Sequence, residues 1–287
     1  MRVANKVFFD AVKFNLGTIT ERMAAANEVV SSGKKLNSLS DDPVGLLQAL
    51  NVKSTIAGIQ QQTRNITMAQ SWVSGAESAL TQAQNIVSES RALAVQMATA
   101  TVSENERTAA VDMVQGMLDE MVTLANAEVG GRYVFAGTAT AETPFAGDGA
   151  YQGSPTAYAV RISRSSNLDI GTVGSAVFGD VFNSLAALRD SLAGNDVSGI
   201  QDVLGDLGDD FEHLSAQITK IGLKAKRLDM RTQIIQELKI GNLERLSEIE
   251  DADYAEAVMN LKSTEMAYQA ALTSSAKVTQ MSLANFI

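Results

Sequence analysis

Four stretches of the chain carry apolar residues at alternating steps of three and four, the spacing that lines one face of a helix. Near the N-terminus the ladder is Phe9, Val12, Leu16, Ile19, Met23, Ala26 and Val30, which predicts a heptad helix ending near Ser31-Ser32-Gly33. A second ladder runs Ile66, Ala69, Val73, Ala76, Leu80, Ala83 and Val87, and resumes at Ala94 and Met97 beyond the polar Ser90. A polar break at 101–105 precedes the third: Val111, Val114, Leu118, Met121 and Ala125. That helix is expected to close at Gly130-Gly131, where glycine makes a left-handed stop easy. The last ladder places Leu214, Ile221, Leu228, Ile235 and Ile249 on one seven-residue repeat, with Ile218, Ala225 and Leu246 on its partner repeat. Only Thr232, Lys239 and Asn242 interrupt it. A continuous helix from Leu214 to Ile249 would be roughly 54 Å long, at ~1.5 Å per residue. After the acidic stretch Glu248–Asp253, a final apolar helix is expected from Tyr254 to Ile287.

Between these ladders the pattern changes twice. Leu36-Asn-Ser-Leu-Ser-Asp-Asp-Pro-Val44 reads as a loop and then a helix start. Pro43 suits the first helical position because it has no N–H to leave unpaired, and Asp42 can cap the free amides. From Arg132 to about Gly179, Tyr133, Val134 and Phe135, and later Tyr158, Val160 and Ile162, read as short strands separated by glycines, Pro144 and Pro155. A helix resumes near Val181, with Phe182, Leu185 and Leu188 on one face. The fold class is therefore mainly α: long antiparallel heptad helices formed by both chain ends, with a small β-rich insertion at the far tip. The domains expected are 1–42 with 247–287, a terminal helical part; 43–137 with 180–246, a helical rod; and 138–179, the insertion. Ordering a terminal helix costs more backbone freedom than one stripe of apolar side chains returns, so the remaining apolar faces of the two ends need neighbours.

Composition and charge sharpen this. Hydrophobic content of 45% supports a packed core, and only 5% of residues are aromatic, a mix suited to helix seams. There is no cysteine, which excludes disulfides and thiolate chemistry. The net charge of −10 argues against nucleic-acid binding. It is unevenly placed: 138–213 carries three basic and eleven acidic residues, whereas 214–287 carries nine of each. Nearly neutral ends can pack against copies of themselves. No apolar run approaches a membrane span, and the charged start lacks the unbroken apolar stretch of a secretory signal.

No residue set carries a catalytic, cofactor or metal signal. Asp41-Asp42-Pro43 reads as a helix cap and not as a carboxylate pair for metal or catalysis. His213, the one histidine, is taken as a surface residue at a helix start, without the partners of a triad. Asp202, Asp206, Asp209, Asp210 and Glu212 lack the spacing and turn glycine of a calcium loop, and read as a solvated helix face or turn. Trp72 is a boundary packing residue, with a neighbour-anchoring role as the alternative. The candidate sites are instead structural. An assembly face comprises Phe9, Val12, Leu16, Ile19 and Met23 on the first helix, and Val258, Leu261, Met266, Leu272, Leu283 and Phe286 on the last. An interdomain turn comprises Asp41, Asp42, Pro43, Asp251 and Asp253.

Two segments at opposite ends resemble the bacterial flagellin family: Val30-Ser-Ser-Gly-Lys-Lys-Leu-Asn-Ser38 followed by Asp41-Asp42, and Ser247-Glu-Ile-Glu-Asp-Ala-Asp-Tyr-Ala-Glu256. Within the family, Pro43, the segment Gly131-Arg-Tyr-Val-Phe-Ala-Gly-Thr138 and the ending Ser282-Leu-Ala-Asn-Phe-Ile287 are similar to members that join hook to filament. A short filament-forming flagellin is the alternative. The resemblance implies export unfolded through the flagellar type III channel, with a chaperone on the C-terminal region, and an extracellular place in the flagellum. It implies a non-enzymatic ring between the first hook-associated protein and flagellin, with partners that include copies of itself but neither nucleic acid nor membrane. The paired terminal helices would form an inner tube and the β insertion would face outward.

Overall fold

The computed structural model describes residues 2–284 apart from Ala100 and Arg164, with the side chains of 2–5, of Phe8 and of 278–284 also outside the description. The chain runs α1 (Arg2–Ser32), α2 (Pro43–Met97), α3 (Glu104–Ala125), β1 (Glu128–Val129), β2 (Arg132–Tyr133), β3 (Ala159–Arg161), β4 (Asn167–Asp169), α4 (Ser175–Ala193), α5 (Val197–Glu250) and α6 (Tyr254–Ala284). The strands form two antiparallel hairpins, β1 with β2 and β3 with β4. The mainly helical fold with a small β-rich segment is as the hydrophobic pattern predicts. Contacts divide it into one unit of Met1–Gly58 with Leu238–Ile287, and another of Ile59–Glu237.

The Ile59–Glu237 unit holds the main core. Every member of the second ladder is buried, and so are Leu214, Ile221, Leu228 and Ile235 of the last. Ile218 and Ala225 pack partly buried against them. Ser90 is buried within its ladder with its hydroxyl donating to the Ile86 carbonyl at 2.7 Å, so that hydroxyl is not orphaned. Trp72 is 1% exposed, with its ring 5.4 Å from that of Tyr158. It is a core residue and not a boundary one. Phe145 meets Phe178 and Phe182 at ring distances of 5.8 and 5.4 Å, which seats the β-rich segment on α4.

Local chemistry sets the element ends. Ser103 and Glu106 form a capping box at the start of α3. Arg107 is buried at the end of α2, where its Nε and Nη2 donate to the Met97 and Thr99 carbonyls at 3.0 and 2.8 Å. Its Nη1 donates to Asn195 Oδ1 at 2.5 Å, on the turn between α4 and α5. One guanidinium thereby satisfies carbonyls that a helix end leaves without partners.

Other sequence expectations need correction too. The third helix stops at Ala125, not at the glycines; Gly130 and Gly131, with φ of 60° and 74°, make the two-residue turn of the β1–β2 hairpin. Two consecutive positive φ values are what such a turn demands, and glycine adopts them freely. Val134 and Phe135 are buried but lie beyond β2, which ends at Tyr133. Helix α4 starts at Ser175 and α5 at Val197, so His213 lies inside α5, where its Nε2 stands 2.9 Å from the Ala176 carbonyl.

Candidate assembly interface

The other unit is organised around one point where two helices end and two begin. Helix α1 ends at Ser32, and Gly33 takes a φ of 69° that turns the chain out of it. The emerging strand lies against the turn that follows α5. Lys34 and Asp251 form a single antiparallel bridge. The Lys35 amide donates to the Glu250 carbonyl at 2.7 Å, and the Ala252 amide to the Gly33 carbonyl at 2.9 Å.

Aspartates shape both turns. The Asp41 carboxylate accepts from the amides of Asn37 and Ser38 at 3.1 and 2.8 Å and holds the loop before α2. Asp42 accepts from the Val44 amide at 3.0 Å and caps α2, whose first residue is Pro43. Asp253 does the same for α6, accepting from the Ala255 and Glu256 amides at 2.9 and 3.2 Å. Asp251 accepts from the Ser247 hydroxyl and ties its turn to the last turn of α5. Gly45 leaves room for this cap: a Cβ would stand 2.4 Å from Asp42 Oδ2 and 3.2 Å from Leu36 Cδ1, so the capping side chain would have to shift. The five predicted turn residues thus lie in two turns joined by backbone hydrogen bonds.

The charge at the centre belongs to residues that sequence reasoning did not single out. Glu250, 3% exposed, is clamped by Lys34 Nζ at 2.9 Å and by the ammonium of Lys53 on α2. Burial pushes its carboxyl up, but hydrogen bonds from Lys53 and Lys34 outweigh that and hold it below its ordinary range. The Glu250 carboxylate in turn raises Lys34 by hydrogen bond and by charge. Lys35 Nζ donates to the Glu248 carbonyl at 2.6 Å, placing a cation on the negative end of α5. Nothing local marks Lys53 or Glu250 in the sequence, where Glu250 lies within the acidic run Glu248–Asp253, 216 residues from Lys34.

Helices α1 and α6 pack together. Val12, Leu16, Ile19 and Met23 are half-buried on α1, and Val258 and Leu261 on α6. A groove of about 390 Å³ runs past Val12, Leu16 and Ile19 on one side and Ala271 and Ser274 on the other. Phe9, Met266 and Leu272 are exposed. The Leu283 side chain and Phe286 lie outside the described residues. Further apolar side chains that the ladders missed are exposed: Phe14 on α1, Val44 and Leu47 on α2, and Tyr254 and Met259 on α6.

Among the described residues no group of His, Asp or Glu is placed to hold a metal ion, and no helix is long and apolar enough to cross a membrane. Residues 8–140 match the bacterial flagellin N-terminal helical region, and residues 204–287 match the bacterial flagellin C-terminal helical region. The chain belongs to the flagellin family. Both turns of the clamp fall inside these two matched regions.

Relatives of this flagellin-family chain include flagellar hook-associated protein 3 of Escherichia coli, 26% identical over 85% of this chain and 86% of that protein. Flagellar hook-associated protein 3 of Salmonella typhimurium is 23% identical over 99% of this chain and 98% of its own length. Polar flagellin F of Vibrio parahaemolyticus is 30% identical, but over 55% of this chain and 41% of that protein. In fold, the chain is similar to a flagellar hook-associated protein of Vibrio parahaemolyticus, with a TM-score of 0.68, 20% identity and coverage of 74% of this chain and 100% of that one. A flagellar junction protein of Legionella pneumophila gives 0.57 at 14% identity, covering 72% of this chain and 100% of that one.

Proposed function

We propose that the chain is a structural adaptor of the bacterial flagellum, assembling as a ring that joins the hook-associated region to the flagellin filament. The observation that carries this reading is length: the hook-associated relatives match along nearly the whole chain, whereas the flagellin compared above matches over little more than half. The geometry supports a structural role, because the charged clamp fixes two turns while apolar side chains on α1, α2 and α6 stay exposed for neighbours.

In this reading 1–42 with 247–287 form the inner, self-packing part, 43–137 with 180–246 the helical body, and 138–179 the outward insertion. The assembly face is Phe9, Val12, Leu16, Ile19 and Met23 with Val258, Leu261, Met266, Leu272, Leu283 and Phe286. Partners are copies of the chain, the first hook-associated protein, flagellin, and an export chaperone on the C-terminal region, with export through the flagellar type III apparatus. Deletion of the gene tests it. Cells lacking an adaptor make hooks and shed unpolymerised flagellin into the medium. Cells that keep an intact junction and lack only the filament subunit would assign the chain to the filament instead.

A further inference from the structure

A cleft of about 500 Å³ between α4 and α5 is lined by Asp180, Asn183 and Ser184 from α4 and by Asp206, Asp209, Asp210 and His213 from α5. Four carboxylates face it, and among the described residues none of them is in an ion pair; the ion pairs found involve other residues. Asp210 sets this cleft apart from a solvated acidic face. It is 4% exposed, and its Oδ2 is buried with no hydrogen-bond partner. A buried carboxylate oxygen without a donor is costly unless something supplies one.

We propose that this cleft receives an arginine side chain presented by a neighbouring protein subunit. A guanidinium carries five N–H donors in a planar fork, so it suits a cleft lined by both the Asp210 carboxylate and a rim carboxylate such as Asp209. A metal ion fits less well, because the described carboxylates and His213 do not converge as a ligand set. Burial pushes the Asp210 carboxyl up, and the charges of Asp180 and Asp206 add to this; the Ser184 hydroxyl and His213 work the other way. Asn183 leaves an exposed amide on the α4 side of the cleft, which suits a hydrogen-bonding cation over an apolar plug. The site does not depend on the adaptor reading, since it is a property of the Ile59–Glu237 unit and is tested on the isolated chain.

The test is an NMR titration of the full chain, labelled at aspartate carboxyl carbons, with N-acetyl-argininamide, run beside tetramethylammonium and calcium chloride. Argininamide is expected to shift the Asp210 and Asp209 signals saturably and to lower the proton affinity of Asp210 about tenfold. Asp210→Asn should abolish the response. Should that variant fold poorly, Asp209→Asn on the exposed rim should weaken binding by severalfold with the fold intact. An equal response to tetramethylammonium would reduce the cleft to a loose ionic atmosphere and overturn the proposal. Tighter saturation by calcium would make it a metal site, and no response to any cation would mean a protonated Asp210 that needs no partner; either overturns it as well.

Discussion

Glu250 is the residue on which the two turns converge. Its carboxylate reaches Lys34 on the segment after α1 and Lys53 on α2, while its own carbonyl accepts from the Lys35 amide. Replacing Glu250 by glutamine keeps the shape but leaves two ammonium groups facing a neutral amide, at a cost of about 1–3 kcal/mol. Hydrogen exchange at the Lys35 and Ala252 amides should then quicken by roughly tenfold or more; unchanged exchange would show that the backbone bridge holds without the charge. The pH dependence has two edges. Glu250 is held below its ordinary 4.5, so its contribution is present above that value and is lost as pH falls through the lowered one. Lys34 is raised above its ordinary 10.5, so its contribution is full below that value and is lost as pH rises through the raised one. Protection factors at these amides should be flat between about 5 and 10 and fall on either side.

Among the elements, α3 owes its position to Arg107 as much as to its apolar face. Arg107→Ala would strand the Met97 carbonyl, leave that of Thr99 with only the Val102 amide, and empty a buried space, costing about 2–4 kcal/mol in denaturant titrations of the full chain. A loss below half a kilocalorie would mean that water replaces the guanidinium. The ladders were legible because each is local: Ile66 to Val87 repeats on one face, and all of it is buried. The start of α5 was not, because Gly199, Gly205 and Gly208 and several aspartates dilute the apolar positions Ile200, Val203 and Leu207, which the structure buries. Gly130 and Gly131 were read as a helix stop because a helix cap and a hairpin turn ask the same positive φ of glycine. At the site, the aspartate caps were visible because a cap sits beside the helix it starts. The Lys34–Glu250–Lys53 clamp was not, since nothing in either segment specifies a partner 216 residues away.

At the scale of the whole molecule, stability is unevenly distributed. The Ile59–Glu237 unit buries complete ladders, while α1 and α6 share a half-buried seam and leave Phe9, Phe14, Met259 and Met266 exposed. Limited proteolysis of the purified chain should therefore remove roughly the first 40 and last 40 residues while the middle resists, and assembly should protect the ends. Ends that resist as long as the middle in the free chain would contradict this. The bridge between the first and last turns also imposes an order in time. It closes a loop of more than two hundred residues, so contacts within the intervening chain are the cheaper ones to form first. The Ile59–Glu237 unit can pack on its own helices, but α1 has no companion until α6 is in place. Helix α1 is thus among the last elements to be secured, since its packing partner α6 lies at the far end of that loop.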